Sequence, residues 1–433
     1  MKSSYFLVLA LLIVLMTACE KKEDPVPDLP TEDEAARDAL YSIMKTYYLW
    51  YKDMPSVKKE DYADPYELLE AMRYRKLDRW SYIQTYKDFL DQVSATFVGH
   101  GIRIGLDQNN KTRIAQIYNK SPMYDLGVRR GWIIKKLNGT ELAPIFISGD
   151  GAAYNALIGK SEAGITNTFL FETPEGKDST ITTTKATFTL NTVLLYDTLH
   201  LKTGITGHLV FEQFVEPSKA ELETAFAYFQ ANNVKDLIVD LRYNGGGDLT
   251  VLQSLAAHIA GSSKYGEPFL TLSHNDLNIA RDKTYTFATV ASSVASKKMV
   301  VITTRSTGSA SEDLINGLKP FMEITTIGDT TNGKPVGMYG FKHKELYYYW
   351  PISFELLNTL GQGDFYDGFA PKKYVMDDIT HDWNDRGEYC LKEAIYYLEN
   401  GSVSSKGEYQ YRRATQFDEG NSKPNNLYLI ENN

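Results

Sequence analysis

The sequence predicts a multidomain α/β protein with a helical N-terminal segment, a β-rich middle and a C-terminal α/β unit. Three observations carry this. Helix-start signals followed by apolar residues at helical spacing fill residues 31–91. Short apolar runs broken by glycines and turn residues dominate 92–190. From Gly207 onward, apolar runs of strand length alternate with amphipathic stretches, the pattern of a parallel sheet. At 433 residues the chain is long enough for two or three domains. Its net charge of −9 argues against a nucleic-acid partner, which needs a basic face.

The chain opens with Lys2, an apolar run from Tyr5 to Met16, and Thr17-Ala18-Cys19. This is a signal-peptide pattern over 1–19, with an apolar run too short to span a membrane. Small residues just before a cysteine resemble a bacterial lipobox. The resemblance implies lipidation at Cys19 and an anchored protein of the cell envelope, at the outer membrane, the cell surface or in the periplasm. Residues 20–30, charged and then proline-rich, read as a flexible tether. Cys390 is the other cysteine, so with Cys19 lipidated no intrachain disulfide is expected. Its setting, GluTyrCysLeuLysGluAlaIle, reads as a buried helix position. Seven histidines without His-x-x-x-His spacing, and no Cys-x-x-Cys, give no expectation of a metal site.

Within 31–91, Thr31 to Glu34 forms a capping-box pattern. The helical spacing of Leu40, Ile43, Met44 and Tyr47 predicts a helix ending near Met54-Pro55. Asp64-Pro65 with Glu67 opens a second helix. Strand patterns begin at Phe97, and Asn138-Gly139 is a hairpin signal. In the third unit, 191–400, His208 to Phe214 reads as a strand, and Ser218 with Glu221 as the cap of a helix. The continuous apolar run 237–241 suits a parallel strand covered on both faces. Arg242-Tyr243-Asn244-Gly245-Gly246-Gly247-Asp248 follows, then a helix from Leu249 to Ala260. This glycine loop fits neither a phosphate-binding Gly-Lys-Ser/Thr nor Gly-x-Gly-x-x-Gly.

A second strand–loop–helix runs from Met299 through ThrGlySerAlaSerGlu to Leu318, and a final helix is expected over 389–399. Strand, tight turn and helix is a geometry that exposes a nucleophilic serine, here Ser309. Lys334, in the loop AsnGlyLysPro, is its candidate base. Locally, Ser309 and Glu312 also satisfy a capping box, which needs no chemistry. Residues 401–433 are polar and read as a tail along the surface.

SerAlaSerGlu followed by AsnGlyLys, with AspLeuArgTyrAsnGlyGly upstream, resembles the C-terminal processing protease (tail-specific protease) family of Ser-Lys serine peptidases. TyrTyrLeuTrpTyr at 47–51 and AspArgTrpSerTyr at 78–82 resemble the leading segments of its Bacteroidetes-type members. The resemblance implies an α/β (crotonase-like) peptidase core and a PDZ-like domain over 92–190. It implies Ser309 as nucleophile, Lys334 as base, and the backbone N–H groups of Gly246 and Ala310 as oxyanion hole. Gly99, His100, Gly101 and Ile102 would form the loop that receives a peptide's terminal carboxylate. Polypeptides would be the substrates, and no cofactor is required. Where family members commonly carry a glutamine that orients the lysine, this chain has Met338; a nearby backbone carbonyl or a hydroxyl such as that of Thr330 or Thr331 is then the expected substitute. The rival readings are a peptide-binding lipoprotein with weak or lost catalysis, and a serine esterase.

Overall fold

The computed structural model describes residues 31–93 and 96–405, and the backbone of two short strands, Gln416–Asp418 and Tyr428–Ile430. The signal peptide, Cys19 and the tether lie outside the described residues.

Thr31 caps the first helix, Glu32–Tyr47, as its sequence implies. Its hydroxyl accepts the Glu34 N–H at 3.2 Å, and the Glu34 carboxylate accepts the Thr31 N–H at 2.7 Å. The helix stops at Tyr47, short of Met54-Pro55. Tyr48 is pulled into extended backbone because its ring is buried and its hydroxyl donates to Asp78 at 2.7 Å. The next N–H, of Leu49, donates to the Ile352 carbonyl at 2.8 Å. Asp64 caps Pro65–Met72 through the Glu67 N–H. The N-terminal segment also contributes a strand, Tyr82–Thr85, to an antiparallel sheet. That sheet runs Tyr82–Thr85, Tyr347–Trp350, Val336–His343, Ile352–Asn358, Pro268–His274, Lys283–Thr286, and Tyr428–Ile430 joins it parallel to Val336–His343. Leu40, Met44, Tyr48 and Trp80 accordingly share one apolar cluster with Leu237 and Val239 of the α/β unit.

The middle of the chain folds around its own core, in which Ile104, Ile114, Phe146, Phe169 and Phe171 are fully buried. The strands Ile102–Leu106, Thr112–Ile117, Ile133–Leu137, Thr166–Glu172 and Asp178–Thr184 lie in that order, all antiparallel. Asn138 and Gly139 take φ of 50° and 84°, the paired left-handed turn that an Asn-Gly hairpin needs. The outer edge of Ile102–Leu106 is taken by Gln416–Asp418, antiparallel, with Asp418 opposite Arg103.

The α/β unit is built on a six-stranded sheet. An antiparallel pair, Val193–Leu201 and Gly204–Phe211, leads into parallel strands Asp236–Asp240, Lys298–Thr303, Glu323–Gly328 and Lys373–Tyr374. Crossover helices Ser218–Ala231, Leu249–Ala260 and Ala310–Leu318 connect them. Alternate residues of the central strands face opposite layers, so both faces must be apolar. Leu237, Val239, Met299 and Val301 pack with the crossover helices. Ile238, Val300 and Ile302 pack with the helix Tyr389–Asn400, where Cys390 is buried. Asp248 caps Leu249–Ala260 through the Thr250 and Val251 N–H groups. The capping box expected at Ser218 does not form. Ser218 Oγ donates to the Gln213 carbonyl, and Glu221 accepts the Thr192 and Val193 N–H groups, so both side chains secure the neighbouring strand instead.

A buried ion network joins the β-rich domain to this unit. Arg242 contacts Asp240 at 2.6 Å, Asp377 at 2.7 Å and Glu388 at 2.9 Å, and Arg130 reaches Asp377 at 3.1 Å. Burial alone would raise the Asp377 carboxyl, but Arg242 and Arg130 outweigh it and hold it at about 2. A depressed carboxyl stabilises the fold above its unfolded pKa, and that contribution is lost as pH falls through the folded value, here between about 4 and 2. Glu388→Ala strips Arg242 of one partner and Leu391 of its helix cap. It is expected to cost roughly 3–5 kcal/mol in urea unfolding at pH 7, the range for breaking a buried pair.

Candidate active site

Three loops meet at the C-terminal ends of the adjacent parallel strands, the edge where open α/β sheets place their ligands. The first, 241–248, follows Asp236–Asp240. The second, 304–309, follows Lys298–Thr303. The third, 329–335, follows Glu323–Gly328. They are tied to one another. Thr307 Oγ1 donates to the Leu241 carbonyl at 2.7 Å, and the Gly308 N–H to the Asn244 carbonyl at 3.1 Å. The Asn332 N–H donates to the Thr307 carbonyl at 2.8 Å.

Ser309 sits at the N-cap of Ala310–Leu318 with φ 56° and ψ −120°. A non-glycine residue with positive φ outside the ordinary left-handed well is strained, and such strain persists where the surroundings over-determine it. Here Glu312 does so. Its carboxylate Oε2 accepts the Ser309 N–H at 3.0 Å and the Lys334 N–H at 2.8 Å, so serine turn and lysine loop bond to one oxygen. Oε1 accepts the Thr331 hydroxyl at 2.5 Å and the Gly333 N–H at 2.6 Å. Local pattern shows only the first of these four bonds, as half of a capping box. The other three join residues 19 to 22 positions away.

Gly246 lies against the same turn. A Cβ there would lie 2.8 Å from the Ser309 Cβ and 2.9 Å from the Ala310 nitrogen, and its φ is 106°, so only glycine fits. Ala310 is the first helical residue, where the N–H has no intrahelical acceptor. The Gly246 N–H donates to Asn244 Oδ1 at 2.9 Å, a bond that must open before this group can serve another acceptor. The structure thus brings Ser309, Lys334, Gly246 and Ala310 together. The turn does not expose the serine: Ser309 and Lys334 are each 1% exposed, because the glycine loop and the lysine loop close over them.

Lys334 is held in an apolar setting with Val336 and Met338, both fully buried. Burial pushes its pKa down to about 7, against the opposing charges of Asp313, Asp78 and Glu312. Its Nζ has no hydrogen-bond partner among the described residues. Neither threonine expected to orient it does so. Thr331 Oγ1 donates to Glu312 and accepts the Phe369 N–H, and Thr330 Oγ1 pairs with the Tyr374 hydroxyl. Above the loop lies AspArgTrpSer of the N-terminal segment. Arg79 donates to the Tyr366 carbonyl at 2.9 Å, and Trp80 Nε1 to Asn332 Oδ1 at 3.2 Å.

The residues expected to receive a peptide carboxylate lie elsewhere, in the β-rich domain. Gly99 ends the strand Thr96–Gly99, and Ile102 begins Ile102–Leu106. His100 is buried, bonded to Asn167 at 2.8 Å, and burial pushes its pKa down to about 4. Gly101 takes φ 77° and its carbonyl accepts the Tyr118 N–H. Among the described residues no cluster of metal-ligating side chains occurs, and no helix is long and apolar enough to cross a membrane.

A doubly covered parallel sheet thus carries a strained serine and a buried lysine at its C-terminal edge, roofed by the chain's own N-terminal segment. The chain is similar to peptidase family S41 over part of its length. The model of that family matches residues 205–345, and the model of the S41 N-terminal domain matches 35–82. The carboxy-terminal processing protease CtpB of Bacillus subtilis is 24% identical over 252 residues, 58% of this chain and 49% of that protein. The probable CtpA-like serine protease of Staphylococcus saprophyticus is 21% identical over 318 residues, 69% of this chain and 58% of that protein. The chain thus spans about half the length of the curated relatives it matches. A crystal structure from Bacteroides fragilis, named as an S41 protease, shares the fold at TM-score 0.69 and 22% identity, over 84% of this chain and 97% of that one.

The lysine gives a stability signature. Its pKa is about 7 folded and 10.5 in the free side chain, so between these values the unfolded chain binds more protons and stability rises with pH. Lys334→Met is expected to stabilise the protein near pH 7 by on the order of 4 kcal/mol, a gain that shrinks toward pH 10.5. Chemical denaturation of both proteins at several pH values measures it.

Proposed function

We propose that this protein is a serine endopeptidase in which Ser309 attacks a peptide carbonyl and Lys334 is the general base. The carrying observation is the shared Glu312 oxygen, which holds a strained serine turn and a buried lysine in one place. In this reading neutral Lys334 takes the Ser309 proton and later delivers it to the leaving amine. The N–H groups of Ala310 and, once released from Asn244, Gly246 bind the oxyanion. A base of pKa about 7 is half deprotonated at neutral pH, so kcat/KM should rise through about pH 7 and level off above it.

The substrates in this reading are polypeptides, recruited by their C-termini through a PDZ-like middle domain. The outer edge of Ile102–Leu106 already accepts one extended segment antiparallel, which supports it as a strand-addition edge. The lipobox pattern supports attachment to the cell envelope at Cys19. One observation favours a second reading, a peptide-binding protein with latent catalysis: Ser309 is buried and the Gly246 N–H is occupied.

A fluorophosphonate probe separates the two. Labelling of wild type at Ser309, with cleavage of an unstructured protein, is the expected result; an unlabelled, inactive wild type leaves the binder. Ser309→Ala and Lys334→Ala should each abolish turnover, and their combination should lose no more than either alone, because the pair acts as a unit. For recruitment, peptides ending in a free carboxylate should bind more tightly than the same peptides amidated, since the backbone N–H groups lose a charged acceptor. Equal affinities would rule this mode out. Cys19→Ala should move the protein from the membrane to the soluble fraction.

A further inference from the structure

The Ser–Lys reading leaves one group at the site unused. Asp313 lies one turn along Ala310–Leu318 from Ser309, its N–H donating to the Ser309 carbonyl at 2.8 Å. Asp313 is fully buried, and among the described residues neither carboxyl oxygen has a hydrogen-bond partner. Lys334 is the mirror case, a buried donor whose Nζ has no partner among the described residues. The adjacent residue, Glu312, bonds the Lys334 backbone, which places the lysine beside this stretch of helix.

The electrostatics agree. Asp313 is the strongest of the charges that favour the Lys334 ammonium, ahead of Asp78 and Glu312. Burial pushes the Asp313 carboxyl well above the usual range, Glu312 adds to this, and Lys334 opposes it. A buried carboxyl without a partner is a stability cost that a purely structural residue would not carry.

We propose that Asp313 is the positioning residue for the Lys334 base: the two side chains are not bonded in this structure, and a rotation that lets a carboxyl oxygen accept an Nζ–H turns the amine's lone pair toward Ser309 Oγ. The Ser309 proton then passes to Nζ, and the resulting ammonium keeps its bond to Asp313. Position 338 cannot fill this role, because a thioether is at best a weak acceptor. The proposal rests on the Ser309–Lys334 reading and adds to it the group that fixes the base.

The test compares Asp313→Ala and Asp313→Asn with wild type in the full-length protein. It follows cleavage of an unstructured protein across pH, fluorophosphonate labelling of Ser309, and thermal unfolding. Asp313→Ala should lower kcat about a hundredfold, the scale of a small misplacement, with KM little changed and Tm equal to or above wild type. Asp313→Asn keeps a neutral carbonyl acceptor and should restore most of kcat. It cannot carry the charge that favours the ammonium, so its acid limb should move to lower pH. Wild-type kcat and acid limb in Asp313→Ala, while Lys334→Ala is inactive, would overturn the positioning role and leave the dyad standing. Parallel losses of kcat and Tm in both Asp313 variants would also overturn it, since a structural role gives that result. Full activity in Lys334→Ala, or no labelling of wild-type Ser309, would instead remove the dyad on which it rests.

Discussion

The Glu312 carboxylate is the interaction on which the site depends. It sits in the first turn of a buried helix, where the helix dipole favours a negative charge. Burial works against it and pushes its pKa up, while the four bonds it accepts pull the other way. Those donors come from three places: the serine turn, the threonine at the head of the lysine loop, and the lysine loop itself. Without this carboxylate the Ser309 backbone would have no reason to hold φ 56°, and the lysine loop would lose its three anchors to the helix.

The rest of the architecture supplies the walls around that carboxylate. Parallel strands covered on both faces deliver three loops to one edge. The N-terminal segment completes the enclosure. Its strand Tyr82–Thr85 is hydrogen-bonded into the second sheet, and this fixes Arg79 and Trp80 over the lysine loop. Gly333 shows how tight the closure is: a Cβ there would lie 2.2 Å from the Tyr366 carbonyl oxygen. Desolvation of Lys334 is therefore a property of the whole unit, including the segment farthest from it in sequence.

What the sequence makes legible is what neighbouring residues decide. Asp248 and Gly261 bracket the helix Leu249–Ala260, and Asn138-Gly139 sets a hairpin, because caps and turns are chosen within a few residues. The apolar run at 237–239 announces a strand covered on both faces for the same reason. The misreadings lie where a distant contact wins. Tyr48 leaves its helix for Asp78, 30 residues on; Ser218 serves the Gln213 carbonyl and Glu221 the 192–193 backbone rather than their own helix. Glu312 has the spacing of a capping box and forms one of its bonds, but its other three partners cannot be seen from local spacing. Thr331 is a plausible partner for Lys334 by proximity in sequence, yet it is committed to Glu312. Asp313 did leave a trace, an acidic residue next to Leu314 and Ile315 in a helix whose every residue is buried.

The groups at this edge share a physical character: each is held in a state that water or an unconstrained chain would not choose. Ser309 is in a strained backbone well, Lys334 is stripped of solvent, and Asp313 is buried without a partner. Each lowers stability, and the three lie within two loops and one helical turn. Scattered through a core, such residues would be defects that selection removes. Gathered at the C-terminal edge of one sheet, they describe a protein that uses its stable framework to hold a few unstable groups where they can react. The fully satisfied Glu312 at their centre supports this distinction, because it shows that the fold can satisfy a buried carboxyl in this very turn. That the next residue, Asp313, is left unsatisfied then points to chemistry rather than to imperfect packing.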